Sequence, residues 1–294
     1  MDSKWIIWGA KGFIGTHAFR GLSCKYPCIQ VYRAQDSSIS VIDENGVIAN
    51  FKNSKLGISK IISTYKPDYV LNCAAIASVE KCARNPTQAH KSNVELPSML
   101  ATICSAKKVK FIHISTDAVF GQDGKFFQES QIPAPISTYA RTKYESENLV
   151  MQLNTDALII RTRPLGESAR RTTLLDFFID NLLAGNLIDG HINVYFTPIY
   201  IIDLIASIEK LSISGSTGIW HVAGSERLSK FEVGIFVAQA LNVNRKLILP
   251  SELKSNLTST ARNLDTSLST TKYNYTFGEV PSVIRAIKSA LKRF

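Results

Sequence analysis

The feature that most restricts the folds open to this chain is a glycine-spaced turn directly behind an apolar run at the N-terminus. Trp5-Ile6-Ile7-Trp8 runs into Gly9-Ala10-Lys11-Gly12-Phe13-Ile14-Gly15. Four large apolar residues are too few for a helix and read as a strand buried on both faces. Glycines at the turn let the backbone approach a pyrophosphate. A helix opening there offers N–H donors and the positive end of its dipole. The spacing is G-x-x-G-x-x-G rather than G-x-G-x-x-G, so the triplet alone also fits a plain tight turn. Its strand–turn–helix setting favours dinucleotide binding, with Gly9, Lys11, Gly12, Phe13, Ile14 and Gly15 as the contacting residues.

Short apolar segments at 69–74, 111–115 and 157–161 repeat the strand pattern, with stretches of helical periodicity at 58–65, 86–107 and 139–153. Pro97 must kink or divide the second of these helices. Strands alternating with helices predict a parallel sheet covered on both faces, a doubly wound α/β (Rossmann) domain. Beyond Arg161 the alternation loosens. Residues 172–183 and 199–211 are apolar on helical periods, 218–223 is strand-like, and 242–280 is rich in Asn, Ser and Thr. Ser229 and Glu232 form a capping box that starts a helix through Leu241, and 283–292 is a basic helix. The expected division is 1–164 with 197–224 as the NAD(P)-binding domain. Residues 165–196 with 225–294 then form a smaller, mainly C-terminal α/β substrate-binding lobe.

Composition narrows the partners. The five cysteines (Cys24, Cys28, Cys73, Cys82, Cys104) are odd in number, and no His spacing completes a zinc site, so they read as reduced, mostly buried thiols and no metal is expected. No run of about 18 uncharged apolar residues spans a membrane. The N-terminus lacks a signal-peptide core, which predicts a cytoplasmic protein. The formal charge of +10 suggests an acidic partner, but the basic residues are scattered with few interleaved aromatics. That pattern argues for a small anionic ligand such as a nucleotide and against nucleic acid.

The second strand, 29–32, ends at Arg33 about twenty residues past the glycines, where an acid would hold a ribose 2′-OH and an arginine a 2′-phosphate. Arg33 and Lys11 favour NADP(H). Asp36, at the tip of a slightly longer strand, would favour NAD(H). Further on, Tyr139-Ala-Arg-Thr-Lys143 sets a phenol and an ammonium on one face of a helix. The cation lowers the phenol's pKa and suits it to acid/base work near neutral pH. The stretch 111–117 ends a strand in hydroxyls at the carboxyl edge of the sheet. There Thr116 can donate to a carbonyl oxygen or, equally, cap a turn.

With these residues in hand the chain resembles the extended short-chain dehydrogenase/reductases over nearly its whole length, and within them the dTDP-4-dehydrorhamnose reductase branch. The matching stretches are G-A-K-G-F-I-G (9–15), L-N-C-A-A (71–75), H-I-S-T-D-A-V-F (113–120), Y-A-R-T-K (139–143) and T-P-I-Y-I-I-D-L (197–204), with H-V-A-G-S-E-R-L-S (221–229) of the same type. The resemblance implies Thr116, Tyr139 and Lys143 as a catalytic trio, with Lys143 also gripping the nicotinamide ribose. It implies Ala74 and Ala75 lining the cofactor, Asn93 near the active site, and Asp203 as a structural residue. It allows a homodimer. The stretch Arg161-Thr-Arg163-Pro-Leu-Gly166 departs from the branch's aromatic-rich pattern, leaving Arg163, Arg170, Arg171 and Arg262 as alternatives for a substrate diphosphate. Dehydratases of the family carry Asp-Glu after the catalytic Thr. Here Asp117-Ala118 lacks that base, which speaks against 4,6-dehydration.

The expected activity is NAD(P)H-dependent reduction of a nucleotide-linked keto-deoxysugar. Its rivals are an epimerase that retains NAD and a non-catalytic NADP-binding regulatory subunit.

Overall fold

In the computed structural model, residues 3–33, 38–43, 48–51, 54–254 and 263–293 are described. Asp36 and Arg262 lie outside them. The chain divides into two compact units. The first comprises Met1–Ser115, Ser137–Ile160 and Ile205–Trp220, and the second Thr116–Ile136, Arg161–Leu204 and His221–Phe294.

The apolar segments build an eight-stranded sheet. Seven of its strands, in chain order, are β1 (Trp5–Trp8), β2 (Cys28–Arg33), β3 (Ile39–Ile42), β4 (Ile48–Phe51), β5 (Tyr69–Asn72), β6 (Lys110–Ile114) and β7 (Leu158–Thr162). Gly218–Val222 lies beyond β7, and across the sheet the order continues β6, β5, β1, β2, β3, β4. β1 is central and buried along its whole length, which is why its sequence is apolar without alternation. It pairs in parallel with β2 on one side and β5 on the other, and β6 and β7 continue the parallel run. The strand order therefore reverses at β1, and the chain leaves β1 and β5 side by side at their carboxyl ends. Open α/β sheets bind ligands at such a switch point.

The helices of this unit are α1 (Phe13–Leu22), α2 (Lys55–Tyr65), α3 (Val79–Arg84), α4 (Pro86–His90), α5 (Leu96–Lys107) and α6 (Thr138–Leu153). Ser54 caps α2 through the Gly57 N–H, and Lys66 ends it in the left-handed conformation. Ser137 caps α6 through the Ala140 N–H. The helix expected over 86–107 divides, but before Pro97. α4 passes through a π turn at Lys91–Glu95 into α5, and Pro97 sits in the first turn of α5. Proline has no N–H for the Asn93 carbonyl four residues back, and the α register gives way there. The alternating pattern also did not anticipate β3 and β4, which run antiparallel and extend the edge beyond β2. The apolar core packs Ile58, Ile61, Leu100, Leu96 and Ala101 of the helices against Ile6, Val31, Val70 and Phe111 of the strands.

The second unit has its own core, in which Leu165, Phe178, Ile179, Phe196, Val233, Val237 and Ile287 meet. Two of its helices, Leu174–Leu183 and Lys230–Ala240, start with reciprocal capping boxes, Thr173 with Asp176 and Ser229 with Glu232. Burial raises the Asp176 pKa, but hydrogen bonds from Thr173 and Ser168 outweigh it and hold the carboxyl below its usual range. Within this unit Phe120 stacks on Phe127 with ring centres 4.4 Å apart. Among the described residues no helix is long and apolar enough to cross a membrane.

Candidate active site

The glycine turn is as tight as its residues allow. Gly9 adopts φ +81°, donates its N–H to Val31 O at 2.7 Å, and lies so close to the β5 end that a Cβ would meet Ala74 N at 2.7 Å. A Cβ on Gly15 would sit 2.3 Å from Gly9 O. Gly12 is exposed and caps α1 with no side chain, so the first-turn amides of α1 have no side-chain cap. This cradle fits an anionic phosphate group. Lys11 is exposed, with Nζ 3.5 Å above the centre of the Tyr32 ring, which brings its charge to the end of β2 where Arg33 is the last and exposed residue. Ala74 donates its N–H to Asn72 Oδ1, and Ala75 is exposed.

α6 buries an unusual face. Ala140, Thr142, Lys143, Ser146, Glu147 and Val150 are all buried, four of them with polar or charged groups that a helix normally turns to water. Each of those four is bonded, Thr142 Oγ1 to Tyr139 O. Lys143 Nζ donates to Ile114 O at 2.7 Å and lies 3.0 Å from His113 Nε2. Ser146 Oγ is 3.1 Å from the same His113 nitrogen, and Ser115 Oγ donates to Glu147 Oε1. Burial lowers the Lys143 pKa to about 8, partly countered by Glu147 and Cys73. Tyr139 lies one turn before Lys143 and is half-buried.

Asn93 is fully buried on the π turn and committed to protein partners. Its Oδ1 accepts from Ile76 N–H at 2.8 Å, and its Nδ2 donates to Ile76 O and to Thr142 Oγ1, each at 3.1 Å. It thereby ties the chain after β5 to α6. Asn93→Ala strands these partners and is expected to cost about 2–4 kcal/mol, read as a lower urea midpoint. A midpoint equal to wild type would refute the tie.

In the second unit Thr116 caps the short turn Asp117–Val119, its Oγ accepting from Ala118 N–H and donating to Asp117 Oδ1 at 3.1 Å. Asp117 is fully buried and also accepts from Thr266 Oγ1 at 2.6 Å, while Arg163 Nη1 stands 3.4 Å from its Oδ1. Arg171, though exposed, is engaged by Glu167, Asp176 and Asp180, and Arg170 beside it is exposed as well. Asp203 is half-buried, and burial raises its pKa. All five cysteines are free thiols, with Cys28, Cys82 and Cys104 buried. Among the described residues no group of three or more His, Cys, Asp or Glu could hold a metal ion. Motif spacing did not single out Asn72, His113, Ser146 or Glu147. A periodicity reading of β5, β6 and α6 flags them only as polar residues at positions that should be apolar.

A parallel sheet that reverses its strand order at a glycine-turned first strand defines the Rossmann-like class of α/β proteins. Within that class the chain belongs to the RmlD substrate binding domain family, whose profile matches residues 4–294. It is 30% identical to the probable low-salt glycan biosynthesis reductase Agl14 of Haloferax volcanii, over 83% of this chain and 82% of that one. It is likewise 30% identical to the dTDP-4-dehydrorhamnose reductase of Mycolicibacterium smegmatis, over 85% and 73%. The crystal structure of dTDP-4-dehydrorhamnose reductase from Bacillus anthracis, in complex with NADP, superposes with a TM-score of 0.85 at 22% identity, covering 100% of this chain and 99% of that one.

Proposed function

We propose that this protein is an NADPH-dependent reductase of a nucleotide-linked keto-deoxysugar, of the dTDP-4-dehydrorhamnose type, acting in the cytoplasm. Residues 1–164 and 197–224 serve the dinucleotide, and 165–196 and 225–294 the sugar nucleotide. The observation that carries this reading is the i, i+4 pair of Tyr139 and Lys143 on α6, with the lysine amine buried and anchored to the end of β6. Two relatives named as reductases, each 30% identical, support it.

When bound, the reduced nicotinamide supplies the hydride. Gly9, Gly12 and Gly15, with the N–H groups opening α1 at Phe13 and Ile14, would hold its pyrophosphate. Lys143 would hold the nicotinamide ribose, and Ala74 and Ala75 would line the cofactor. Tyr139 gives its phenolic proton to the sugar oxygen as the carbonyl carbon accepts hydride. Thr116 serves as a hydrogen-bond donor to the substrate, exchanging Asp117 Oδ1 for a substrate acceptor. Ala118, where dehydratases of the family carry Glu, offers no base for carbon-acid chemistry, which speaks against 4,6-dehydration.

Purified protein with NADPH and a panel of nucleotide 4-keto-sugars, followed by loss of NADPH absorbance, tests the reading. No oxidation under conditions where a characterised relative turns over would overturn it. Lys11 and Arg33 are assigned to the 2′-phosphate, with NAD(H) the weaker cofactor. Replacing both by Ala removes charge-assisted contacts worth about 1.5–3 kcal/mol, so KM for NADPH should rise about tenfold or more while KM for NADH stays flat. A parallel rise with both cofactors would refute the assignment.

A further inference from the structure

The buried face of α6 sets a constraint on protons. Ala74 N–H donates to Asn72 Oδ1 at 3.1 Å, which turns the Asn72 amide so that Nδ2 faces His113 Nδ1 at 3.1 Å. An amide nitrogen offers only donors, so His113 Nδ1 must carry the lone pair. Burial first, and then the charge of Lys143, holds the His113 pKa well below the usual value, so the ring is neutral and its proton sits on Nε2. That N–H points at Lys143 Nζ (3.0 Å) and Ser146 Oγ (3.1 Å).

If Lys143 is a neutral amine, every group is satisfied head to tail. Ala74 donates to Asn72, Asn72 to His113, His113 Nε2–H to the amine lone pair, and the amine to Ile114 O at 2.7 Å. An ammonium has no lone pair, so donor would face donor across the 3.0 Å contact. The other groups facing Lys143 act differently. Glu147, one turn further along α6, and Cys73, after β5, both draw its proton affinity upward, yet burial prevails. Cys73 is itself a thiol whose pKa burial pushes up to about 12. His90 holds Glu95 through Nδ1 and the exposed Glu145 of α6 through Nε2.

We propose that His113, locked in its Nε2–H tautomer through Asn72, is a positioning residue that withholds a hydrogen-bond acceptor from Lys143 and so makes its ammonium a ready proton source for Tyr139. This rests on the reductase reading given above. Once Tyr139 has protonated the sugar oxygen, the Lys143 ammonium passes one proton to the tyrosinate. The resulting amine accepts from His113 Nε2–H and takes a proton back from hydronium in solvent.

The test uses the full chain without substrate. Long-range proton–nitrogen NMR of the histidine-labelled protein should show His113 with a protonated Nε2 and a bare Nδ1. The Lys143 titration, followed through its Cε carbon, is then compared in two variants. In Asn72→Asp one carboxylate oxygen keeps the Ala74 N–H and the other demands a proton on His113 Nδ1, which hands Nε2's lone pair to Lys143. His113→Phe removes the opposing N–H without adding charge, beside the stacked Phe111. In each, the Lys143 midpoint should rise by about one pH unit or more, tenfold in proton affinity. In the active enzyme the alkaline fall of kcat/KM, which follows loss of the Lys143 proton, should move up by the same amount. A protonated Nδ1 in the wild type, or an unmoved Lys143 midpoint in the folded variants, overturns the proposal. Tautomer and titration are both read without turnover, so failure of the reductase assay and failure of this proton assignment are distinguishable.

Discussion

Tyr139→Phe is expected to slow reduction of the nucleotide keto-sugar by about 10²–10⁴-fold, the contribution typical of a positioned acid, with NADPH affinity nearly unchanged. The substitution removes one oxygen from a half-buried residue and leaves the apolar ring in place, so α6 and its Ser137 cap should persist. The loss should fall on kcat rather than KM, because the phenol acts on charge that develops only as hydride arrives. Single-turnover NADPH oxidation and fluorescence titration of NADPH separate the two effects. Turnover at the wild-type rate would remove Tyr139 from the chemistry.

The second large effect is expected at Gly15. An added methyl group would lie 2.3 Å from Gly9 O and 2.9 Å from Ala10 Cα, both backbone atoms of the turn itself. The turn must open to admit it, at a cost of about 1–3 kcal/mol typical of overpacking. Opening also moves the amides assigned to the pyrophosphate. Gly15→Ala should therefore lower NADPH affinity by about 2–3 kcal/mol, roughly a hundredfold, together with a lower melting temperature. Gly12→Ala is the informative companion. Its Cβ would meet only Gly9 O, at 3.2 Å, and the residue is exposed, so folding should barely change while NADPH binding falls. Calorimetry of both variants checks this, and wild-type NADPH affinity in Gly15→Ala would refute the role given to the turn.

The local elements were legible in the residues. The buried run Trp5–Trp8, the capping box at Ser229 and the helix carrying Tyr139 and Lys143 are written in periodicity and capping chemistry, which act over a few neighbouring residues. The antiparallel edge was harder to see. Asn45-Gly46 is a hairpin signal in the sequence, but the helix expected between successive strands masked it. The π turn likewise needed more than Pro97. A proline predicts that a helix is interrupted, not that the residues before it widen to bury Asn93.

The site divides along the same line. The order of glycine turn, strand-end hydroxyl and Y-x-x-x-K names candidate groups, because backbone approach and helix periodicity are local properties. Their proton states and commitments depend on residues far apart in the chain. Asn93 is spent on Ile76 and Thr142, and Asp117 gathers Thr116, Thr266 and the neighbouring Arg163. Lys143 meets His113 thirty residues away, whose proton is assigned in turn by Asn72, forty-one residues further back. Burial and donor–acceptor matching across a sheet arise only when distant segments pack. The chain order therefore told which groups are present, and folding set which of them hold a proton and which are already bound.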